Sequence, residues 1–171
     1  MTQSFTAYLS IGSNKGEKKT NLETAIGQLN SHPEIEVTGI SRFYRTQPQN
    51  FADQDWFVNA ALKVSTTIAD PLDLLAALKA IEGALDPEGK AFRFGPRVVD
   101  LDLIFFEDQI LETEILELPH PRMHERCFVL QPMCDIGAQT IHPVLKKTSQ
   151  ELLAALDNTP DQEVFLLEEE N

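Results

Sequence analysis

Alternating hydrophobic and polar residues mark four segments of this chain as β-strands, because successive side chains of a strand point to opposite faces of its sheet. The predicted strands cover residues 6–11, 35–46, 56–66 and 98–106. The first of them runs into a turn at Gly12-Ser13-Asn14, a sequence of turn-forming residues.

A period near 3.6 residues predicts helices between these strands. One helix begins at Thr20 and Glu23, a Ser/Thr-x-x-Glu capping box, and runs to about residue 31. A second helix begins at Asp70-Pro71, an N-cap followed by proline, and buries a stripe of leucine and isoleucine.

The last third of the chain has weaker periodic signals. Residues 110–118 predict part of a hairpin, and residues 123–131 predict a short helix that ends near Pro132. Thr148 and Glu151 form a second predicted capping box, and the tail that follows predicts a short strand with an acidic end.

The order strand, helix, strand, strand, helix, strand across residues 6–106 predicts an α+β fold. It is the ferredoxin-like βαββαβ sandwich, an antiparallel sheet with helices on one face. The other face would stay open for a ligand, with a C-terminal hairpin and helices added. One domain, 1–171, is expected, because no repeat or linker divides the chain.

Two acids interrupt the apolar strand of the segment RFGPRVVDLDLIFF, residues 93–106. Alternation sends Asp100, Asp102 and Ile104 to the open face, and Val99, Leu101, Leu103 and Phe105 to the core. Carboxylates about 7 Å apart along one face suit shared hard cations such as magnesium. They could also be solvated or paired with Arg93 and Arg97, and the spacing alone favours neither interpretation.

The strand at 56–66 divides in the same way. Its open face receives Phe57 and Asn59, and its core face receives Val58, Ala60, Leu62 and Val64. An aromatic ring next to an amide is suited to a flat heterocycle, which stacks on the ring while the amide reads its polar edge. Taken alone, such a pair is more often an aromatic plug with a satisfied amide, but its predicted placement on the face of the two aspartates favours a ligand.

Charge and hydropathy narrow the class of partner. The net charge of −13 argues against nucleic acid. Five of the fourteen basic residues nevertheless fall within residues 90–126, which is typical either of a site for a small anion or of a solvated face. No signal peptide and no apolar run long enough for a membrane span are present, so we expect a cytoplasmic protein.

His120 and His124 are four residues apart, the spacing of a zinc pair on a helix. Pro121 makes a continuous helix between them unfavourable, and no third ligand completes a recognisable zinc motif. We therefore interpret His120 as a contact to phosphate.

Five segments together resemble 6-hydroxymethyl-7,8-dihydropterin pyrophosphokinase. They are YLSIGSN (8–14), SRFYRT (41–46), FVNAA (57–61), RFGPRVVDLDLIFF (93–106) and LPHPRMHERCFVLQP (118–132). The resemblance covers roughly residues 6–158. It implies an enzyme of folate biosynthesis that transfers a diphosphate from ATP to the hydroxymethyl group of a reduced pterin and releases AMP.

The resemblance also implies residue roles. Asp100 and Asp102 would hold two magnesium ions and, with Arg97 and His120, form the catalytic set. ATP would contact Glu82, Arg93, Arg97, His120 and Arg126, and the pterin would contact Thr46, Gln47, Pro48, Phe57, Asn59 and Phe128. We expect a monomer.

Two other classes share part of this pattern. A metal-dependent nucleotidyltransferase also combines Gly-Ser before a helix with a pair of aspartates, but there the two elements usually lie close in sequence. A non-enzymatic ferredoxin-like binding module would explain the sheet and would leave the two aspartates without a purpose.

The chain departs from the family pattern at Pro87 and Gly89, where many members carry an Arg-x-Arg credited with closing over the phosphates. Lys90 is the nearest cation, and lysine lacks the bidentate grip of a guanidinium group. We expect a slower chemical step than in relatives with both arginines. The double variant Pro87→Arg with Gly89→Arg should raise the single-turnover rate, and an unchanged rate would contradict this explanation.

Overall fold

Eight strands and four α-helices make up the part of the chain that the computed structural model describes, residues 2–49, 53–89 and 95–168. In chain order they are β1 (Phe5–Ser13), α1 (Lys18–Ser31), β2 (Ile35–Ile40), β3 (Tyr44–Thr46), β4 (Phe57–Thr66), α2 (Pro71–Leu85), β5 (Asp100–Phe106), β6 (Leu111–Glu112), β7 (Glu117–Leu118), α3 (Cys127–Gly137), α4 (Ser149–Ala154) and β8 (Val164–Leu166). A 3-10 turn, Met123–Glu125, precedes α3.

The main sheet is antiparallel at every pairing, in the order β5-β1-β4-β3-β8, and β2 pairs with β4 alongside β3. β6 and β7 form a separate small hairpin. This strand order, with α1 and α2 as the two crossovers, confirms the predicted α+β, ferredoxin-like class.

The first face of the sheet carries the main hydrophobic core, where α1 and α2 pack. The apolar stripes of both helices are buried as their periodicity predicted, and Val58, Ala60, Leu62 and Val64 of β4 all point into this core. α2 begins as expected: the Asp70 carboxylate accepts the Leu72 N–H (2.9 Å), and Pro71 is the first helical residue.

The second face of the sheet is not wholly open, which refines the prediction. Part of it carries a smaller core, to which α3 and α4 contribute and which comprises Ala61, Ile104, Phe105, Met123, Val129, Leu130, Met133 and Leu152. This core covers part of the face on which the ligand was expected.

A bulge in β5 changes which of its side chains face which core. Tyr8 of β1 pairs with Phe105 and Leu9 pairs with Leu103, so Ile104 is an extra residue in the ladder. Phe105 is thereby turned into the second core, and the prediction that it faces the first core is wrong. Ile104 does face the second side, but it is buried there, 1% exposed.

Three further boundaries differ from the prediction. The predicted strand 35–46 is two strands, because the sheet register gains one extra residue between Ile40, opposite Leu62, and Tyr44, opposite Asn59. β1 extends through the predicted turn to Ser13. α3 continues past Pro132 to Gly137. The residue after the proline, Met133, is buried in the second core, which holds this part of the helix against the sheet.

The two predicted capping boxes have opposite outcomes. Thr148 and Glu151 form the reciprocal pair at α4. Thr20 lies inside α1, because the helix begins at Lys18 and the Asn21 N–H donates to the Glu17 carbonyl a turn earlier (2.8 Å). No helix in the described ranges is both long and apolar enough to cross a membrane.

The burial of Ile104 at this bulge leads to a prediction about stability. Ile104→Ala should lower the free energy of unfolding by about 2–5 kcal/mol, because it opens a cavity between the sheet and α3. Ile110, which is 60% exposed, is the matched control, and Ile110→Ala should cost less than about 0.5 kcal/mol. Chemical denaturation measures both changes, and similar small losses would show that Ile104 is not packed as described.

Candidate active site

A cavity of about 270 Å³ lies on the second face of the sheet, beside α3. It is lined by Ser10, Gly12, Thr46, Gln47, Gln49, Gln54, Phe57, Asn59, Lys79, Arg97, Asp100, Asp102, His120, Arg126 and Phe128. Ten of the thirteen residues that the sequence suggested for the site therefore line one cavity.

The floor of the cavity is set by the register of β1, which lies between β4 and β5. Gly12 lies opposite Asn59 of β4 on one side and opposite Asp100 of β5 on the other. Two strand spacings place Asn59 and Asp100 about 10 Å apart across it. A Cβ at Gly12 would collide with the Asn59 side-chain nitrogen, so only glycine leaves this amide in place. Sequence reasoning treated Gly12 as a turn residue and missed this role.

A buried amide and hydroxyl form one side of the cavity. Thr46 Oγ1 donates to Asn59 Oδ1, and Asn59 Nδ2 donates to the Ile11 carbonyl (3.2 Å). These bonds fix which end of the amide is donor and which is acceptor. Each end keeps further hydrogen-bonding capacity, one N–H on the nitrogen and one lone pair on the oxygen.

Arg97 connects the aromatic side of the cavity to its carboxylate side. Its guanidinium group is paired with Asp100, and it lies 5.4 Å from the centre of the Phe57 ring. Asn14 holds the backbone of Arg97, because Asn14 Oδ1 accepts the Arg97 N–H (2.9 Å). The alternative interpretation, an aspartate bridged to arginine, is thus correct for Asp100, and the pair lies within the cavity.

The outer edge of β5 is occupied by two of the proposed site residues. Glu82 Oε2 accepts the Leu101 N–H (2.8 Å), and the Ile104 carbonyl accepts the His120 N–H (3.0 Å). Burial raises the pKa of Glu82, although the bond from Leu101 opposes the shift. Glu82 therefore fixes the backbone between the two aspartates and does not itself line the cavity.

Lys79 lines the cavity and was missed by the sequence reasoning. Its Nζ lies 3.0 Å from Glu82 Oε2, one turn along α2. Burial lowers the pKa of Lys79, but Glu82, Asp102 and Asp100 together raise it above its ordinary value. The i, i+3 spacing of Lys79 and Glu82 on the polar side of α2 was the available signal.

His120 is neutral in the folded protein. Burial, followed by the nearby charges of Arg126 and Arg122, lowers its pKa to about 4. Its Nδ1 accepts the Arg122 N–H (3.2 Å), so the proton of the neutral ring is on Nε2. His120 can therefore donate a hydrogen bond to an anion without itself carrying charge.

Arg126 is a desolvated cation at the α3 side of the cavity. Burial and the charge of Arg122 lower its pKa, and its guanidinium group lies 5.4 Å from the centre of the Phe128 ring. Among the residues that the structure describes, no carboxylate forms an ion pair with Arg126, and a partly buried guanidinium group in that position favours an incoming anion. Lys79, Arg97 and Arg126 outnumber the two aspartates of the lining, although the whole protein is acidic.

Two of the expected site residues do not line the cavity. Pro48 is buried and Glu82 lies behind β5, so neither lines the cavity, and Arg93 lies outside the described residues. Gln49 and Gln54 line the cavity and were not expected. Asn14 Nδ2 donates to Gln54 Oε1 (2.8 Å), which links Gln54 to the segment that holds Arg97.

The region of the missing arginines is described only as far as Gly89, which has φ of +68°. A non-glycine residue is strained in that conformation. Pro87→Arg alone is therefore the cleaner test of the expected slow chemical step, because Gly89→Arg changes the backbone as well as the charge.

The carboxylate pair fits one kind of metal site. Within residues 2–49, 53–89 and 95–168 no cluster of three or more His, Cys, Asp or Glu side chains could form a cage around a metal. Magnesium needs no such cage, since it is commonly bound by one or two carboxylates together with waters and substrate phosphates. Asp100 and Asp102 match that donor set.

Comparison with known proteins gives a consistent result. The model of the family described as 7,8-dihydro-6-hydroxymethylpterin-pyrophosphokinase matches residues 8–138. The 2-amino-4-hydroxy-6-hydroxymethyldihydropteridine pyrophosphokinase of Bacillus subtilis is 41% identical over 133 residues, which is 78% of each chain. The folic acid synthesis protein fol1 of Schizosaccharomyces pombe is 38% identical over 165 residues, 96% of this chain.

Some relatives are much longer than this chain, which spans 22% of the S. pombe protein. The same holds for a solved structure, Plasmodium falciparum HPPK-DHPS with pteroate. It matches with a TM-score of 0.74 at 14% identity, over 95% of this chain and 48% of that one. At this identity the structural match supports the fold alone.

These matches, together with the fold, define the class of the protein. It is that of the ATP-dependent diphosphotransferases. The chain belongs to the 7,8-dihydro-6-hydroxymethylpterin-pyrophosphokinase family of folate biosynthesis. The resemblance found in the sequence is confirmed, and neither the nucleotidyltransferase nor the binding-module interpretation is favoured.

The lowered pKa of His120 leads to a prediction about how stability depends on pH. Between about pH 6.5 and pH 4 the unfolded chain binds a proton at His120 that the folded state does not, so stability should fall as the pH falls. His142, whose pKa burial also lowers, adds to the same trend. His120→Gln should remove its own share of the slope, at most about 1.4 kcal/mol per pH unit. Denaturation across that window tests this, and an unchanged slope would contradict the assignment.

Proposed function

We propose that this cavity binds ATP and 6-hydroxymethyl-7,8-dihydropterin side by side and transfers a diphosphate to the pterin hydroxymethyl group. The observation that carries the proposal is the register around Gly12, which sets Asn59 and Asp100 on either side of one glycine. A group suited to a heterocycle and a group suited to a metal-bound phosphate then face one shared space.

The pterin would occupy the Asn59 side. Asn59 and Thr46 would read its polar edge with the hydrogen-bonding capacity left after their own pairing, and Gln47 would contribute from the same wall. Phe57 and Phe128 would supply the rings between which the bicycle stacks. Pro48, which is buried behind this wall, would shape it without touching the ligand.

The triphosphate would occupy the carboxylate side. Asp100 and Asp102 would hold two magnesium ions there. Bound magnesium would neutralise charge on the transferring diphosphate and orient it toward the acceptor. The two aspartates are two residues apart on the same face of β5, and Glu82 accepts a hydrogen bond from the N–H of Leu101, the residue between them.

Cations around the carboxylates would bind the remaining phosphate oxygens. Arg97, which pairs with Asp100, would exchange part of that contact for phosphate when the metal arrives. Lys79 and Arg126 line the same cavity, and neutral His120 would donate a hydrogen bond from Nε2.

Arg93, suggested by the sequence for the same task, lies outside the described residues. Lys79 would supply some of the charge lost at Pro87 and Gly89.

Charge stabilisation and alignment would supply most of the rate, because phosphoryl-type transfer makes little demand on covalent chemistry. Asp102 would orient the attacking hydroxyl without acting as a base. The acidic surface supports a protein that binds no nucleic acid. A monomer and a cytoplasmic location stay predictions.

Turnover with defined substrates tests the proposal. The protein incubated with ATP, magnesium and 6-hydroxymethyl-7,8-dihydropterin should form AMP, and chromatography should show that AMP depends on the pterin. Asp100→Asn and Asp102→Asn should each lower kcat by about a hundredfold or more, because each removes a charge from the proposed metal site.

Asp108→Asn is the matched control, since Asp108 is an exposed acid just beyond the end of β5. Its turnover should match that of the unmodified protein. AMP formed equally well without the pterin would contradict the proposed transfer. Full activity in both aspartate variants would show that these carboxylates do not hold the metal.

A further inference from the structure

The segment 161–166, named here the C-terminal strap, contacts both walls of the cavity. It comprises β8 and the three residues before it, and it lies outside residues 8–138, the part matched by the family model. None of its residues lines the cavity. Any effect of the strap on the reaction must therefore act through the residues that it holds.

One wall is held through Gln47 and Gln49. The Gln47 N–H donates to the Glu163 carbonyl (3.0 Å), and Gln47 Oε1 accepts the Glu163 N–H (3.2 Å). Gln49 Nε2 donates to the Asp161 carbonyl (3.1 Å). Both glutamines line the cavity, so the strap holds the wall where we place the pterin edge.

The other wall is held by one side chain. Gln162 Oε1 accepts the Cys127 N–H (2.9 Å), and Gln162 Nε2 donates to the Glu125 carbonyl (2.9 Å). These two backbone groups lie on either side of Arg126. Gln162 therefore fixes the peptide before Arg126 and the peptide after it.

This contact replaces a missing helix cap. α3 begins at Cys127, and its N-cap residue, Arg126, makes no side-chain hydrogen bond to the helix. The first N–H groups of a helix lack partners within it. Gln162 supplies a partner from 35 residues further along the chain, and that partner sets the start of the helix that carries Phe128.

The strap is itself anchored independently of Gln162. β8 pairs with β3, with Arg45 opposite Phe165. The Arg45 guanidinium group lies 4.5 Å from the Trp56 ring centre and 5.4 Å from that of Phe165, while the two rings stack 6.1 Å apart. Removing the Gln162 amide should leave these contacts, so the strap should stay in place.

We propose that Gln162 is a positioning residue for the diphosphate transfer, one that holds Arg126 and Phe128 in the orientation that binds substrate. The inference rests on the proposed function, which places ATP against Arg126. It assigns to the strap a role in ATP binding that differs from a general role in stability.

Gln162→Met tests the role, because methionine keeps the length and bulk of the side chain and loses both hydrogen bonds. We expect the Kd for ATP with magnesium, measured by calorimetry, to rise about tenfold. Thr148→Ala is the control. It removes the capping box of α4, which contributes no residue to the cavity lining, and it should lower stability while leaving the Kd unchanged.

A double-mutant cycle separates positioning from a structural effect. Arg126→Ala should weaken ATP binding more than Gln162→Met does. Adding Gln162→Met to Arg126→Ala should change the Kd less than twofold further, because the residue to be positioned is gone. If the increase in Kd of the double variant equals the product of the increases in the two single variants, the inference is overturned. A Gln162→Met protein that loses stability and keeps the Kd would also overturn it.

The proposed function can fail separately. An unmodified protein that forms no AMP with the pterin would refute the transfer, while the Kd values for ATP would still decide the role of Gln162. If Arg126→Ala leaves ATP binding unchanged, the placement of ATP is wrong and the inference falls with it.

Discussion

The arrangement of the second face depends on the small side chains of β1. β1 lies between β4 and β5, and the positions of β1 that face the cavity are Ser10 and Gly12. Asn59 on one neighbour and Asp100 on the other can reach the same space only because nothing larger stands between them. The distance between the two halves of the site is thus a property of strand spacing, which the sheet holds constant.

The cavity is richer in positive charge than the rest of the molecule. In a protein of net charge −13, the described lining of one cavity contains three cations and two aspartates. Arg97 touches both an aromatic ring and a carboxylate, and the pKa of Lys79 responds to Glu82 and to both aspartates. With opposite charges this close, the described lining has a net charge near zero, and the proposed polyanion would bind by exchanging partners with these groups.

Local patterns predicted the parts of this structure that depend on local geometry. Alternation alone assigned both faces of β4 and placed both aspartates of β5, since a two-residue period holds wherever a strand is regular. It failed at Phe105, because a bulge is decided by the partner strand and leaves no local mark. The same four-residue capping pattern was right at Thr148 and wrong at Thr20, where the preceding residues already belong to the helix. Lys79 left only the weak signal of its i, i+3 spacing with Glu82, and Gln162 depends on contacts between distant segments, which no local pattern records.

The outer edge of β5 has a consequence for the state of the protein at high concentration. A strand at the border of a sheet offers unpaired N–H and carbonyl groups to which another chain can add. In β5 the Leu101 N–H donates a hydrogen bond to the Glu82 carboxylate, and the Ile104 carbonyl accepts one from the His120 backbone N–H. Residues assigned to the nucleotide site thereby also protect an apolar strand from intermolecular pairing. This protection depends on the side chain of Glu82, whereas at position 120 the backbone N–H of any residue except proline would supply it.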